Sequence, residues 1–354
     1  MRDAAPVPAD ELVIRLLGPD EADLVVRAIR SAYGDSYDVA WCYDPVEIAH
    51  RLAHGQMVSA AAFTAAGDLL GHAALTRHDH DDQVVHAGQA VSLPEARGHH
   101  VFTRVKAHLA DWARARGILG IFSEATAAHP YSQRANLDLG ATETGILLAW
   151  IPATVANDAT TLTAPVRASV VLYHLRTNPA PAHPVYAPAR HRDVTHAVLH
   201  RGGLRGRLAE TPARTKVPPH SRVHAEALTT HNTLILHVEQ IGTDLATVLT
   251  EQRDAQFARG VDVVFVDLRL DQPATGLVGD ELADAGFGFA GIFPSPQHRG
   301  ENLRLQALRP GLVVTAADVA VASDHGRALL DHVLAEQGPP SAPAPAPAPA
   351  PGAA

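Results

Sequence analysis

Between residues 12 and 152 short apolar runs alternate with segments of helical spacing. Leu12 to Leu17 reads as a strand, and Asp20 to Tyr33 puts Ala22, Leu24, Val25, Ala28 and Ile29 on one helical face. Met57 to Thr64 and Asp68 to Thr76 predict a hairpin turning at Ala66-Gly67, and Gln83 to Leu93 a third β-rich run. Val101, Val105, Leu109 and Trp112 form one stripe of a helix over Val101 to Arg116, which Gly117 ends. A buried strand over Ile118 to Glu124, a helix over Tyr131 to Leu139 and a strand over Glu143 to Ile151 follow. This order predicts an α/β layer structure.

The pattern recurs. At an offset of 143 residues Ala115-Arg116-Gly117 falls on Ala258-Arg259-Gly260, Phe122 on Phe265, Glu124 on Asp267 and Pro130 on Pro273. A few gaps further, Leu139-Gly140-Ala141 matches Ala285-Gly286-Phe287, and Trp150-Ile151-Pro152 matches Ile292-Phe293-Pro294. The repeat predicts two related units. The expected division is an N-terminal flexible segment over 1–10, a first unit over 11–156, a polar linker over 157–165, and a second unit over 166–337 opening with a strand at Arg167 to Leu175. A Pro-Ala tail over 338–354 is unable to build a helix or pack, and is expected to be disordered.

Composition narrows the function classes. A hydrophobic fraction of 46% and a charged fraction of 19% are those of a globular protein. The net charge of −9, with no block of Lys or Arg, argues against nucleic acid. One cysteine, Cys42, leaves no intramolecular disulfide or CxxC pair and fits a reducing compartment. With no leader-like or membrane-length apolar stretch, a cytoplasmic location and no membrane association are expected.

The stretch Ala90-Val91-Ser92-Leu93-Pro94-Glu95-Ala96-Arg97-Gly98-His99-His100, leading into the helix with Val101 and Phe102, resembles the acyl-CoA-binding segment of the GNAT N-acyltransferases. His129-Pro130-Tyr131-Ser132-Gln133 through Asn136 to Leu139-Gly140-Ala141 resembles that family's closing helix and Leu-Gly-Phe segment. The resemblance spans Leu12 to Pro152. It implies two tandem GNAT-like domains, the second degenerate, each a mixed, mostly antiparallel sheet flanked by helices. It also implies acetyl-CoA or another acyl-CoA as cosubstrate, its diphosphate held at Arg97-Gly98-His99-His100 by helix N-terminal amides. The backbone of Ala90, Val91 and Ser92 would pair with the pantetheine arm. The sequence departs from the family at His100 and Phe102, which replace small residues, and at Asn136, which stands where a Tyr often protonates the departing thiolate. In the second unit Gln240 falls on Arg97, and no Arg-Gly turn follows it.

Acyl transfer to an amine needs a base. Glu124, at the end of an apolar strand, is the first candidate, and His129 the second; each equally suits a structural role in its loop or turn. Tyr33, Tyr37, Trp41 and Tyr43 suit either an acceptor pocket or the cover of a core edge. His78-Asp79-His80-Asp81-Asp82 reads as a solvated hairpin turn, so no metal is expected. Arg304 and Gln306 read as strand surface. The leading expectation is an acyl-CoA-dependent N-acyltransferase acting on an amine of a small molecule or protein. The alternatives are a GNAT-like ligand-binding or regulatory module without turnover, and a fold-level likeness carrying other chemistry. The second unit would complete the acceptor cleft or mediate homodimerisation.

Overall fold

The computed structural model describes residues 12–77, 79, 82–93, 96, 100–155, 167–295 and 300–337. The segments 1–10, 157–165 and 338–354 and the stretch Arg97-Gly98-His99 lie outside the described residues.

The first half runs β1 (Val13–Leu16), α1 (Ala22–Tyr33), α2 (Pro45–Ala53), β2 (Met57–Phe63), β3 (Leu69–Thr76), β4 (Val84–Ser92) and α3 (Val101–Ala115). It continues with β5 (Gly120–Thr126), α4 (Tyr131–Asp138), β6 (Thr142–Ile151) and β7 (Ala168–Arg176). The elements read from periodicity form close to their expected bounds. The chief addition is α2, which Asp44 starts by accepting from the Val46 and Glu47 amides ahead of Pro45.

The second half runs β8 (His183–Val185), α5 (Arg192–Arg201), β9 (Gly206–Leu208), β10 (Arg222–Leu228), β11 (Thr233–Gln240) and α6 (Leu245–Ala258). Then come β12 (Val263–Arg269), α7 (Asp280–Asp284), β13 (Gly288–Pro294), β14 (Glu301–Leu308) and α8 (Asp324–Glu336).

Twelve of these strands make one mixed, mostly antiparallel sheet in the order β1-β2-β3-β4-β5-β7-β6-β13-β14-β12-β11-β10. Strand pairing corrects the expected division. β7 does not open the second unit; it lies between β5 and β6, antiparallel to both. Its apolar run, buried from Ser169 to Leu175, needs cover on both faces, and the interior slot of the first half supplies it. The break between halves therefore follows Arg176, and 157–165 falls in the β6–β7 connection.

The second half repeats the first in strand order and direction. β4 and β5 are parallel, as are β11 and β12, and β5-β7-β6 and β12-β14-β13 are antiparallel series. The helix ends coincide too: Gly117 and Gly260 adopt φ of 72° and 88°, Gly140 and Gly286 of 84° and 80°. Register corrects one sequence match: Ile146, not Trp150, stands at the position of the second half's Ile292, and an irregularity between Leu147 and Ile151 lengthens β6 beyond it.

The halves join where β6 meets β13 antiparallel, with Gly145 opposite Gly291. A Cβ built on Gly145 would lie 2.4 Å from Gly291 Cα, so only glycine permits this approach. Gln306, fully buried rather than on a strand surface, closes the seam. Its Oε1 accepts from the Leu148 amide at 2.9 Å and its Nε2 donates to the Ile146 and Phe289 carbonyls at 3.3 Å.

α3, α5, α6 and α8 share one apolar core on one face of the sheet, through Val105, Leu109, Val198, Leu249 and Leu329. Alternation along β2 sends Ala60 and Ala62 to that core, and Ala61 and Phe63 to a second core under α1 and α2. Each large side chain buried this way contributes about 1.5–3 kcal/mol.

Candidate functional site

β4 and β5 separate after three paired positions, Val84 with Gly120, Val85 with Ile121 and His86 with Phe122. The cause is a bulge: between Gly88 and Val91 the register of β4 against β3 shifts, and Gln89 adopts φ 48°. The buried ring of His72 fixes the bulge, with Nδ1 2.8 Å from the Gln89 carbonyl oxygen and Nε2 2.6 Å from Ser59 Oγ. Burial pushes the His72 pKa down to about 4, so the ring stays neutral and holds both bonds. Tyr37 hydrogen-bonds the backbone at Gln89 from the α1 side. Beyond His86, β4 keeps only its β3 partner, while β5 continues along β7.

A cavity opens into this gap, lined by Gly88, Ala90, Lys106, Ser123, Asn136 and Leu139 among others. Lys106 on α3 donates to Asn136 Oδ1 on α4. Burial pushes its ammonium down to about 8. Asn136, 3% exposed, is held in turn by α4, whose last turn closes with the Ala141 amide on the Asn136 carbonyl.

On the opposite side of β5, Glu124 Oε2 lies 2.5 Å from His86 Nε2, both side chains partly exposed. Burial alone would raise the Glu124 pKa. The His86 ring, by charge and hydrogen bond, and the Arg304 guanidinium hold it below the ordinary carboxylate range. Burial would lower His86, and Glu124 reverses this and raises it. The Lys106 charge opposes that rise, so the two sides of the gap sense each other. Phe122 packs on His86 at 4.9 Å between ring centroids, and on Phe293 of β13 at 6.4 Å.

The aromatic residues of the α1–α2 connection pack against the second core. Tyr33 and Tyr37 rings are 4.7 Å apart, the Tyr43 hydroxyl donates to the Gly34 carbonyl and accepts from the Tyr37 amide, and Arg51 lies over Trp41. From the same connection Asp38 reaches the second half, 2.9 Å from His231 Nε2. His231 in turn packs on Trp150 of β6. The second half therefore walls the Glu124 side of the sheet.

His129 is not brought to this pair. It stacks near Tyr131, its pKa lowered by burial, and among the described residues no hydrogen bond or ring contact links it to Glu124 or His86. At the start of α3, His100 is exposed and left-handed (φ 54°), Val101 is buried and Phe102 packs beside Lys106. His78, His80 and Asp81 lie outside the described residues; Asp79 and Asp82 form a turn through the Asp79 amide.

The second half fills the equivalent gap. β11 and β12 stay paired over six positions, Thr233 to Val238. Aligning the helix ends places Leu249 at Lys106 and Leu282 at Asn136, and strand register places Val266 at Ser123; all three are fully buried. Asp267 stands at Glu124, but its partner across β14 is Arg304 where Glu124 has Leu172. Arg304, 8% exposed, grips Asp267 with two bonds of 2.7 Å, and His237 Nδ1 lies 3.2 Å away. Arg304 is thus a buried ion-pair residue rather than strand surface.

Glu124, Asn136 and the β4 segment were expected from the sequence; Lys106 and His86, which the structure places beside them, were not. Lys106 had a signal, a cation within the apolar spacing Phe102, Leu109, Ala110 and Ala113. His86 had none, since only strand register sets it beside Phe122.

No family model matches the chain, and no curated protein is similar to it. Among solved structures it is similar to ribosomal-protein-S5-alanine acetyltransferase from Vibrio fischeri, at 12% identity, covering 48% of this chain and 94% of that one with a TM-score of 0.38. A GNAT superfamily phosphinothricin acetyltransferase from Sinorhizobium meliloti, in complex with AcCoA, matches at 16% identity over 48% of this chain and 89% of that one, TM-score 0.38. Spermidine N-acetyltransferase from Vibrio cholerae, in complex with CoA and spermine, matches at 12% identity over 48% and 96%, TM-score 0.37.

Proposed function

We propose that the first half is a GNAT-like acyl-CoA-dependent N-acyltransferase and that the second half is a degenerate copy which walls the acceptor site. The observation that carries this reading is the gap between β4 and β5. It leaves one edge of β4 from Gly88 to Ser92 without a strand neighbour, so an extended thioester arm can pair there as an added strand. Amides of that edge would polarise the thioester carbonyl.

The acceptor amine would approach from the Glu124 side, between the α1–α2 connection and the second half. Its nitrogen attacks the acyl carbon and the new C–N bond forms. The Glu124–His86 pair takes the amine proton, directly or through water. The C–S bond then breaks, and Lys106, with a pKa of about 8 near that of a thiol, gives the thiolate its proton. Lys106 thereby takes the role that the family often gives to a Tyr at the position of Asn136, which here orients the ammonium. Arg97 and the residues that follow it would hold the diphosphate. The regulatory alternative is less favoured because it leaves both the Lys106–Asn136 and the Glu124–His86 pairs without work.

The test is thiol release from acetyl-CoA in the presence of a panel of small amines. Glu124→Gln is expected to lower kcat about 10²-fold or more. Turnover unchanged by that substitution would remove Glu124 from the mechanism, and no turnover with intact acetyl-CoA binding would favour the regulatory module.

A further inference from the structure

On the helical face of the second half, His191 before α5 and His332 and Glu336 on α8 converge. Their ligand-type atoms all lie within 4.8 Å of one another. The four-residue spacing of His332 and Glu336 places both on one side of α8, facing His191. His191 is 1% exposed, and neither of its ring nitrogens has a hydrogen-bond partner; His332 Nε2 is likewise buried and unpartnered. Leaving such groups unsatisfied is costly, which gives the cluster a reason to hold something. Glu336 is oriented from behind, its Oε2 accepting from the Phe289 amide at 2.9 Å and its Oε1 from Arg190 at 3.1 Å. The Phe289 ring packs on both imidazoles, at 5.8 Å and 5.3 Å, and fixes their planes.

We infer that His191, His332 and Glu336 bind one divalent transition-metal ion, with Zn²⁺ the best match to two imidazoles and one carboxylate. Two ligands each 2.0–2.1 Å from a tetrahedral ion lie about 3.4 Å apart, so a closure of at most about 1.4 Å from the 4.8 Å limit assembles the site. A fourth position stays open to water or to a further ligand. The ion would tie α8 to the start of α5. The opposite end of α8 is anchored to the first half through Ser323 Oγ on Glu143 Oε1 and the Ala322 amide on Gln133 Oε1, so the clamp would stiffen the join between halves. Neither the His78 to Asp82 turn nor a CxxC pair announces this site in the sequence; its three ligands are scattered along the chain, and folding alone assembles them.

The test is titration of the EDTA-stripped full chain with Zn²⁺ by calorimetry, and with Co²⁺ by visible absorption. One ion per chain is expected, with the ligand-field band of a tetrahedral N/O site. His332→Gln and Glu336→Gln, checked by circular dichroism, should each weaken binding by at least the roughly 10–100-fold that even supporting partners of a ligand supply. Absence of stoichiometric binding in the stripped chain, or affinity unchanged in both variants, would overturn the site. Should either variant fail to fold, the histidine ring NMR signals of the unaltered chain decide: stoichiometric Zn²⁺ shifts those of His191 and His332 if they are ligands and leaves them in place if they are not.

Discussion

The two halves of the sheet carry a carboxylate at the same position and treat it in opposite ways. Glu124 faces Leu172 across the neighbouring strand and is left to His86, partly exposed beside an open gap. Asp267 faces Arg304 and is locked in a buried, two-bond ion pair beside strands that never part. The cavity lining follows the same division: Lys106, Ser123 and Asn136 in one half become Leu249, Val266 and Leu282 in the other. A repeat that keeps the fold but exchanges polar lining for core has turned an open gap into packing. What remains polar in the second half serves its own interior and the seam.

The comparison predicts where each half breaks. Arg304→Leu copies the first half's Leu172 onto the second and strands the buried Asp267 charge, so the chain should lose about 3–5 kcal/mol of stability in denaturant unfolding. A loss near zero would mean the Asp267 environment tolerates an unpaired charge as the Glu124 site does. Copying in the other direction, Lys106→Leu with Asn136→Leu should fill the first half's gap. Acetyl-CoA affinity is then expected to fall about tenfold or more, while the unfolding free energy does not fall, since apolar burial replaces a desolvated ammonium. Unchanged affinity would place the thioester elsewhere.

The smallest effect is in pH. His86, raised above 6.5, stabilises the fold fully below 6.5 and loses that contribution as pH rises through its folded value. Glu124, lowered below 4.5, stabilises above 4.5 and loses its contribution as pH falls through its folded value. The pair therefore contributes most between about 4.5 and 6.5, on the order of 1 kcal/mol or less for partly exposed groups. The stability difference between the unaltered chain and His86→Gln should be largest in that window and shrink on either side; a flat difference would show that the pair does not titrate with folding.

Much of this division was legible in the sequence. Apolar spacing locates the first-half elements, and the offset repeat pairs Glu124 with Asp267 and Phe122 with Phe265. What escaped depended on contacts distant in sequence. β7 looked like the start of a new unit because 157–165 separates it from β6 and an apolar strand does not announce its neighbours. Gln306 and Arg304 looked like surface because polar residues usually are, and only the seam and Asp267 explain their burial. The bulge at Gln89, which creates the gap, rests on His72, whose role depends on Ser59 one strand away.

The asymmetry between halves is tested most directly by calorimetric titration of the full chain with acetyl-CoA, repeated with Arg97→Ala and with the Lys106→Leu, Asn136→Leu pair. One equivalent per chain, weakened by both sets of substitutions, is the predicted result. No binding, two equivalents, or one equivalent indifferent to residues of the first half would contradict the account.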